Sequence, residues 1–184
     1  FRSVAAIHSN AGAIHARQGQ LQNALSSYRQ AAQLDPASAE IQFNLGTTLA
    51  MAGRFPEAAA ALERATKLDA GSAEAWANLG NVYLDLEKPD LARLPLERAL
   101  QLRPSAFTHN SLGTLHFERG ALAEAQRHFE SAIRLKSDYD AAYINLGHVH
   151  LRLEQRPRAL DLFRKALEVN PANTEARRLL EKYR

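Results

Sequence analysis

Asn10, Asn44, Asn78 and Asn145 share one local setting, each followed by a small or apolar residue and then glycine: Asn10-Ala11-Gly12, Asn44-Leu45-Gly46, Asn78-Leu79-Gly80 and Asn145-Leu146-Gly147. Ser111-Leu112-Gly113 fills the one missing place in the series. An asparagine amide carries two N–H donors and a carbonyl acceptor, which complement the C=O and N–H groups of a peptide backbone. A file of such amides could hold an extended chain by its backbone without reading its side chains. Asparagine is also a mediocre helix former, so its repeated use in a helical setting needs a reason. A second reason competes with the first: the amides could instead bond to neighbouring helices and serve the scaffold.

The seven histidines are the other group with chemistry to offer. On a helix His148 and His150 point about 200° apart and cannot share one ion. His8 with His15, and His109 with His116, lie two turns apart on inward faces, where packing accounts for them. There is no cysteine, hence no thiolate nucleophile, disulfide framework or cysteine-ligated metal. No P-loop, G-x-S-x-G, HExxH or dinucleotide fingerprint occurs. The expectation is a chain that is not an enzyme, with no cofactor, no metal and no small-molecule substrate.

The elements that must position these residues follow from a repeat. The glycine triplets recur at steps of 34, 34, 33 and 34 residues, and the markers downstream keep the same beat: Ala24, Ala58, Ala92, Ala125 and Ala159, then Tyr28, Leu62, Leu96, Phe129 and Phe163, then Ala31, Ala65, Ala99, Ala132 and Ala166. Within Ala73–Leu86, the residues Trp76, Leu79, Gly80 and Tyr83 share one helical face, while Glu74, Asn78, Asn81 and Asp85 share the opposite one. Gly19, Gly53 and Gly120 mark a turn between two helices in three repeats. Each unit therefore reads as a helical hairpin. Glycine inside a helix costs ~1 kcal/mol relative to alanine. Its recurrence at Gly12, Gly46, Gly80, Gly113 and Gly147 implies close approach of the paired helix, opposite Ala24, Ala58, Ala92, Ala125 and Ala159, with Trp76, Tyr83 and Phe129 filling the space between hairpins.

The period and the Trp, Leu-Gly, Tyr, Ala, Phe, Ala, Pro signature resemble the tetratricopeptide repeat family. His15, Leu49, His116 and His150 replace the Tyr, and the third repeat alone has the Trp. The resemblance implies an all-α fold, a right-handed α-solenoid of helix-turn-helix hairpins whose first helices line a concave groove for a peptide or a segment of another protein. The boundaries expected are 1–4 for a remnant of a preceding segment, then repeats over 5–38, 39–72, 73–105, 106–139 and 140–173, and a capping helix over 174–184 started by Thr174.

On that geometry the groove stripe contains Asn10, Asn44, Asn78 and Asn145 with Arg17, Thr47, Asn81, Thr114, His148 and Arg152. Phe43, Met51, Phe107 and Phe117 flank it as pockets for apolar anchors, together with Leu84, Ile144 and Leu151, of which Leu84 and Leu151 fit packing against neighbouring first helices equally well. The file of asparagines resembles the ladder in the tetratricopeptide arm of O-linked N-acetylglucosamine transferase. The family's other mode, a clamp on carboxylate termini, needs converging cations, and the central stripe supplies only Arg17 and Arg152. The reading is a protein-binding module for an extended segment. The alternatives are a self-associating scaffold, or the substrate-recruiting arm of a larger enzyme such as a glycosyltransferase.

Composition agrees with a folded soluble protein, 46% apolar and 23% charged, with no apolar run long enough to span a bilayer. Residues 152–184 carry nine basic and five acidic side chains, an interleaving that suits a solvated helix surface better than a nucleic-acid contact. Pro95 falls inside the second helix of the third repeat and the following connection is one residue short, which predicts a kink or an altered repeat angle there.

Overall fold

The computed structural model describes residues 2–183; Phe1, the first residue of the expected remnant, lies outside them. Among these residues there are eleven α-helices and no strand. The chain divides into two units at Leu102, and each stacks helical hairpins. The first holds α1 (Arg2–Arg17), α2 (Leu21–Leu34), α3 (Ala39–Met51), α4 (Phe55–Leu68), α5 (Ala73–Asp85) and α6 (Pro89–Leu102). The second holds α7 (Ala106–Glu118), α8 (Leu122–Leu135), α9 (Asp140–Arg152), α10 (Arg156–Val169) and α11 (Thr174–Lys182). Ser3 and Val4 lie inside α1.

Local chemistry sets the helix boundaries. The hydroxyls of Ser38, Ser72 and Ser105 accept from the backbone N–H of Ile41, Ala75 and Thr108 at 3.3, 3.2 and 3.1 Å, satisfying one orphan donor at the start of α3, α5 and α7. The last helix starts differently from the sequence reading. Asn173, not Thr174, is its N-cap, its Oδ1 accepting from Ala176 N at 2.8 Å. The turn inside each hairpin needs one residue at positive φ. Gly19, Gly53 and Gly120 supply it at 72°, 71° and 73°, whereas Glu87 and Glu154 adopt 57° and 59° in the third and fifth hairpins.

Within a hairpin the helix-interior glycines give way to a bulky side chain as well as to the paired alanine. A Cβ built on Gly113 would stand 2.5 Å from Phe129 Cε1, and one on Gly46 would stand 2.7 Å from Leu62 Cγ and 3.2 Å from the carbonyl of Ala58. Phe129 therefore lies over the glycine of its own hairpin, rather than only between hairpins. Between hairpins, the second helix of one packs on the first helix of the next: α2 on α3, α4 on α5, α8 on α9. Tyr83 spans one such junction, its hydroxyl donating to Glu63 Oε1 at 2.5 Å; burial first, and then this carboxylate, push the phenol up to about 12. Trp76 Nε1 and Tyr143 Oη, repeat equivalents, donate to the loop carbonyls of Ala70 and Ser137, both at 3.1 Å. Helix α6 runs unbroken through the buried Pro95, and the connection after it is Arg103–Ser105, three residues where α2–α3, α4–α5 and α8–α9 each have four. Helix α11 closes the second unit by burying Ala176 and Leu179 against α10 while Arg177, Arg178, Glu181 and Lys182 stay exposed.

Candidate functional site

In the first unit α3 lies beside both α1 and α5, and in the second α7 lies beside α9, so the first helices of neighbouring repeats form a surface within each unit. The four asparagines are not equivalent on it. Asn78 Nδ2 donates to Thr47 Oγ1 at 3.0 Å, and Asn145 Nδ2 donates to Asn110 Oδ1 at 2.9 Å, so each ties its helix to the preceding first helix. Asn10 is exposed and Asn44 half-buried, and neither side chain is bonded among the described residues. Each tied amide still has an acceptor oxygen and a second N–H unused by these bonds. Asn110 was missed by the sequence reading because it stands one residue before the serine that fills the asparagine place in the fourth repeat.

The remaining predicted residues separate by environment. Asn81 is half-buried on α5 and Thr114 Oγ1 donates back to the backbone carbonyl of Asn110 at 3.2 Å. Arg17 is exposed at the end of α1. Met51 is 61% exposed, an apolar side chain presented to solvent. Phe43 packs on the core of the first unit and lines a cavity of about 210 Å³ with Glu40, Asp69 and Ser72. Phe107 is 54% exposed, its ring 5.0 Å from Tyr139 with the Lys136 ammonium 4.9 Å from its centroid. The structure brings Phe117 and Arg152 together, the guanidinium 5.3 Å from the ring centroid. His148 is half-buried with its ring edge on Phe163 at 5.7 Å, and burial lowers its pKa, with the opposing charges of Glu175 and Lys182 on α11 nearby. Ile144 is no groove residue: it is 3% exposed and packs with Phe163 and Leu179, because its place on α9 turns it toward α10 and α11.

The histidines cluster in a way that spacing on one helix could not reveal. His109 Nδ1 lies 3.0 Å from Nδ1 of His128 on the paired helix, and His116 stacks on His128 with centroids 5.4 Å apart. His15 and His150, repeat equivalents, each bond through Nδ1 to Gln20 and Gln155 at 2.8 Å. Among the described residues no group of three or more His, Cys, Asp or Glu is placed to hold a metal ion, and no helix is long and apolar enough to cross a membrane.

Hairpins repeated at a near-constant step, the second helix of one packing on the first helix of the next within each unit, define an all-α repeat protein of the solenoid class. The family can be stated as well: tetratricopeptide repeat models match residues 9–73, 43–107 and 116–183, and the chain belongs to the tetratricopeptide repeat family. Human tetratricopeptide repeat protein 6 is 30% identical over 78 residues, 42% of this chain but 15% of that relative's length. The crystal structure of the MamA protein superposes with a TM-score of 0.81 at 26% identity, covering 95% of this chain and 96% of that one. YrrB, described as a tetratricopeptide protein with an unusual peptide-binding site, shares the fold with a TM-score of 0.75 at 24% identity, over 95% of this chain and 90% of its own.

Proposed function

We propose that the chain is a protein-binding module that holds extended partner segments along the first helices of the hairpins within each of its two units. The observation that carries this reading is the unspent hydrogen-bonding capacity of the asparagine file. Asn10 and Asn44 make no side-chain bond among the described residues, and Asn78 and Asn145 use one donor each to join helices. Amides with unused donors and acceptors flanked by apolar side chains favour a ligand whose backbone would complete their bonds. Met51, Phe107 and the Phe117–Arg152 pair lie beside the file as contacts for apolar or aromatic ligand side chains. Arg17, Thr47, Asn81, Thr114 and His148 complete the polar surface. A peptide selected against the immobilised chain from a random library, then titrated against the Asn10→Ala/Asn44→Ala variant, tests the reading. Weakened binding with unchanged stability supports it, and unchanged binding removes Asn10 and Asn44 from the site.

A further inference from the structure

Leu91 and Leu94 stand one turn apart on α6, 50% and 65% exposed, while Ala92, Pro95, Leu96 and Ala99 of the same helix are buried. The repeat register gives this pair no precedent. The same two places hold Asn23 and Ser26, Glu57 and Ala60, Glu124 and Arg127, and Arg158 and Asp161 in the other four hairpins. In the fourth hairpin they form a salt bridge, Arg127 to Glu124 at 3.0 Å. One exposed leucine needs no explanation, but two together, where four equivalent helices are polar or small, mark a surface suited to contact. Beside Leu94 opens a recess of about 410 Å³, lined by Leu94, Glu97, Arg98 and Gln101 and walled by Trp76, whose indole is held by its bond to the Ala70 carbonyl. The four α6 residues fall at i, i+3, i+4 and i+7, the diamond into which a facing helix sets one side chain.

We infer that the outer face of α6 pairs with α6 of a second copy of the chain, the two helices running antiparallel about a two-fold axis at Leu94. The helix supplies both halves of this contact. With the axis at Leu94, Leu91 of the second copy falls opposite Glu97, at the mouth of the recess, and the two Leu94 side chains meet. Asp90, four residues before the axis, falls opposite Arg98, four residues after it, so an opposite-charge contact closes each end of the apolar centre. A parallel pairing would set Asp90 against Asp90 and Arg98 against Arg98. The bond that Arg98 makes within its own helix, to Gln101 at 3.4 Å, is long and readily exchanged for a carboxylate. A single helix pair is a small interface, which suits a reversible dimer rather than a permanent one.

Sedimentation equilibrium from about 5 to about 500 µM tests the pairing. The parent should follow a monomer–dimer equilibrium. Leu91→Glu with Leu94→Arg, which copies the pair of the fourth hairpin, should raise the dissociation constant about tenfold or more while the helicity and Tm of the dilute chain stay unchanged. Asp90→Lys and Arg98→Glu each set like charges together twice in their own dimers and should weaken them by about the same factor. Mixed, these two variants restore opposite charge at both contacts and should associate like the parent. A parent that stays monomeric throughout leaves the face to a different partner and overturns the inference. So does a dimer that the leucine variant leaves intact, and so do charge variants that associate no better mixed than alone.

Discussion

The Nδ1 atoms of His109 and His128 lie 3.0 Å apart across the α7–α8 hairpin, so the pair is satisfied when one ring donates and the other accepts. Protonating both would set two cations against each other, with His116 stacked on one side, Arg134 near His109 and Arg127, itself paired with Glu124, beside His128. Burial, followed by the charges of His109, His116 and Arg127, lowers His128 from 6.5 to about 4; His109 is lowered by burial and Arg134.

A folded-state pKa below the unfolded value means that the unfolded chain binds more protons between the two. The contribution of His128 is then complete above pH 6.5 and lost as pH falls toward about 4. At about 1.4 kcal/mol for each pH decade the ceiling is roughly 3 kcal/mol, reduced by partial solvent exposure. Urea midpoints measured at pH 7.5 and pH 5 should show the loss, and His128→Gln should flatten the slope. A slope identical in parent and variant would remove the histidine cluster as its source.

Glu87 and Glu154 hold the left-handed turn position that glycine occupies in the other three hairpins. A side chain there places Cβ against the following carbonyl, at about 1–2 kcal/mol per residue. Glu87→Gly and Glu154→Gly should each raise stability by ~1 kcal/mol, the relief exceeding the added freedom of the unfolded chain. Denaturant titration of the single variants checks this, and a loss of stability in both would contradict it.

The hairpins were legible in the sequence because a period of 33 or 34 residues leaves its mark on every repeat, and because glycine advertises the turns inside three of them. The contacts that decide the site were less legible. Asn78 reaching Thr47, and Asn145 reaching Asn110, depend on how far one first helix is offset from the next, which no single-helix pattern encodes. His128 escaped notice because it pairs across helices, its partners 19 and 12 residues away on α7. Ile144 was misplaced for a related reason, since an outward angle on an isolated helical wheel becomes an inward one where α10 packs on α9 and Ile144 joins a buried cluster with residues of α10 and α11.

Pro95 is buried inside an unbroken α6 at a place where the second repeat has Ala61, itself 5% exposed. Proline removes the bond to the carbonyl of Leu91 and crowds the preceding turn, at up to ~3 kcal/mol relative to alanine in a helix interior. The small cavity left by the lost ring and the greater freedom of the unfolded chain offset part of that. Pro95→Ala should therefore raise stability by roughly 1–2 kcal/mol, read as a higher Tm with unchanged helicity. A lower Tm would show that the ring's packing outweighs the missing hydrogen bond.

The asparagine file separates into two pairs whose replacement should have different signatures. Asn10 and Asn44 have no bonded side chain among the described residues, so Asn10→Ala with Asn44→Ala should leave stability unchanged or slightly raised, alanine being the better helix former. Binding of a selected peptide should weaken by ~0.5–1.5 kcal/mol per lost neutral hydrogen bond. Asn78→Ala and Asn145→Ala also break the bonds to Thr47 and Asn110, so this second pair should lower both stability and binding. Titrating the peptide against both double variants below their melting ranges, at one salt and pH, resolves the two effects. If the first pair binds like the parent while the second loses affinity only in step with its stability, the asparagines serve the scaffold. Met51 and Phe107, exposed apolar side chains beside the file, would then be the contacts to replace next.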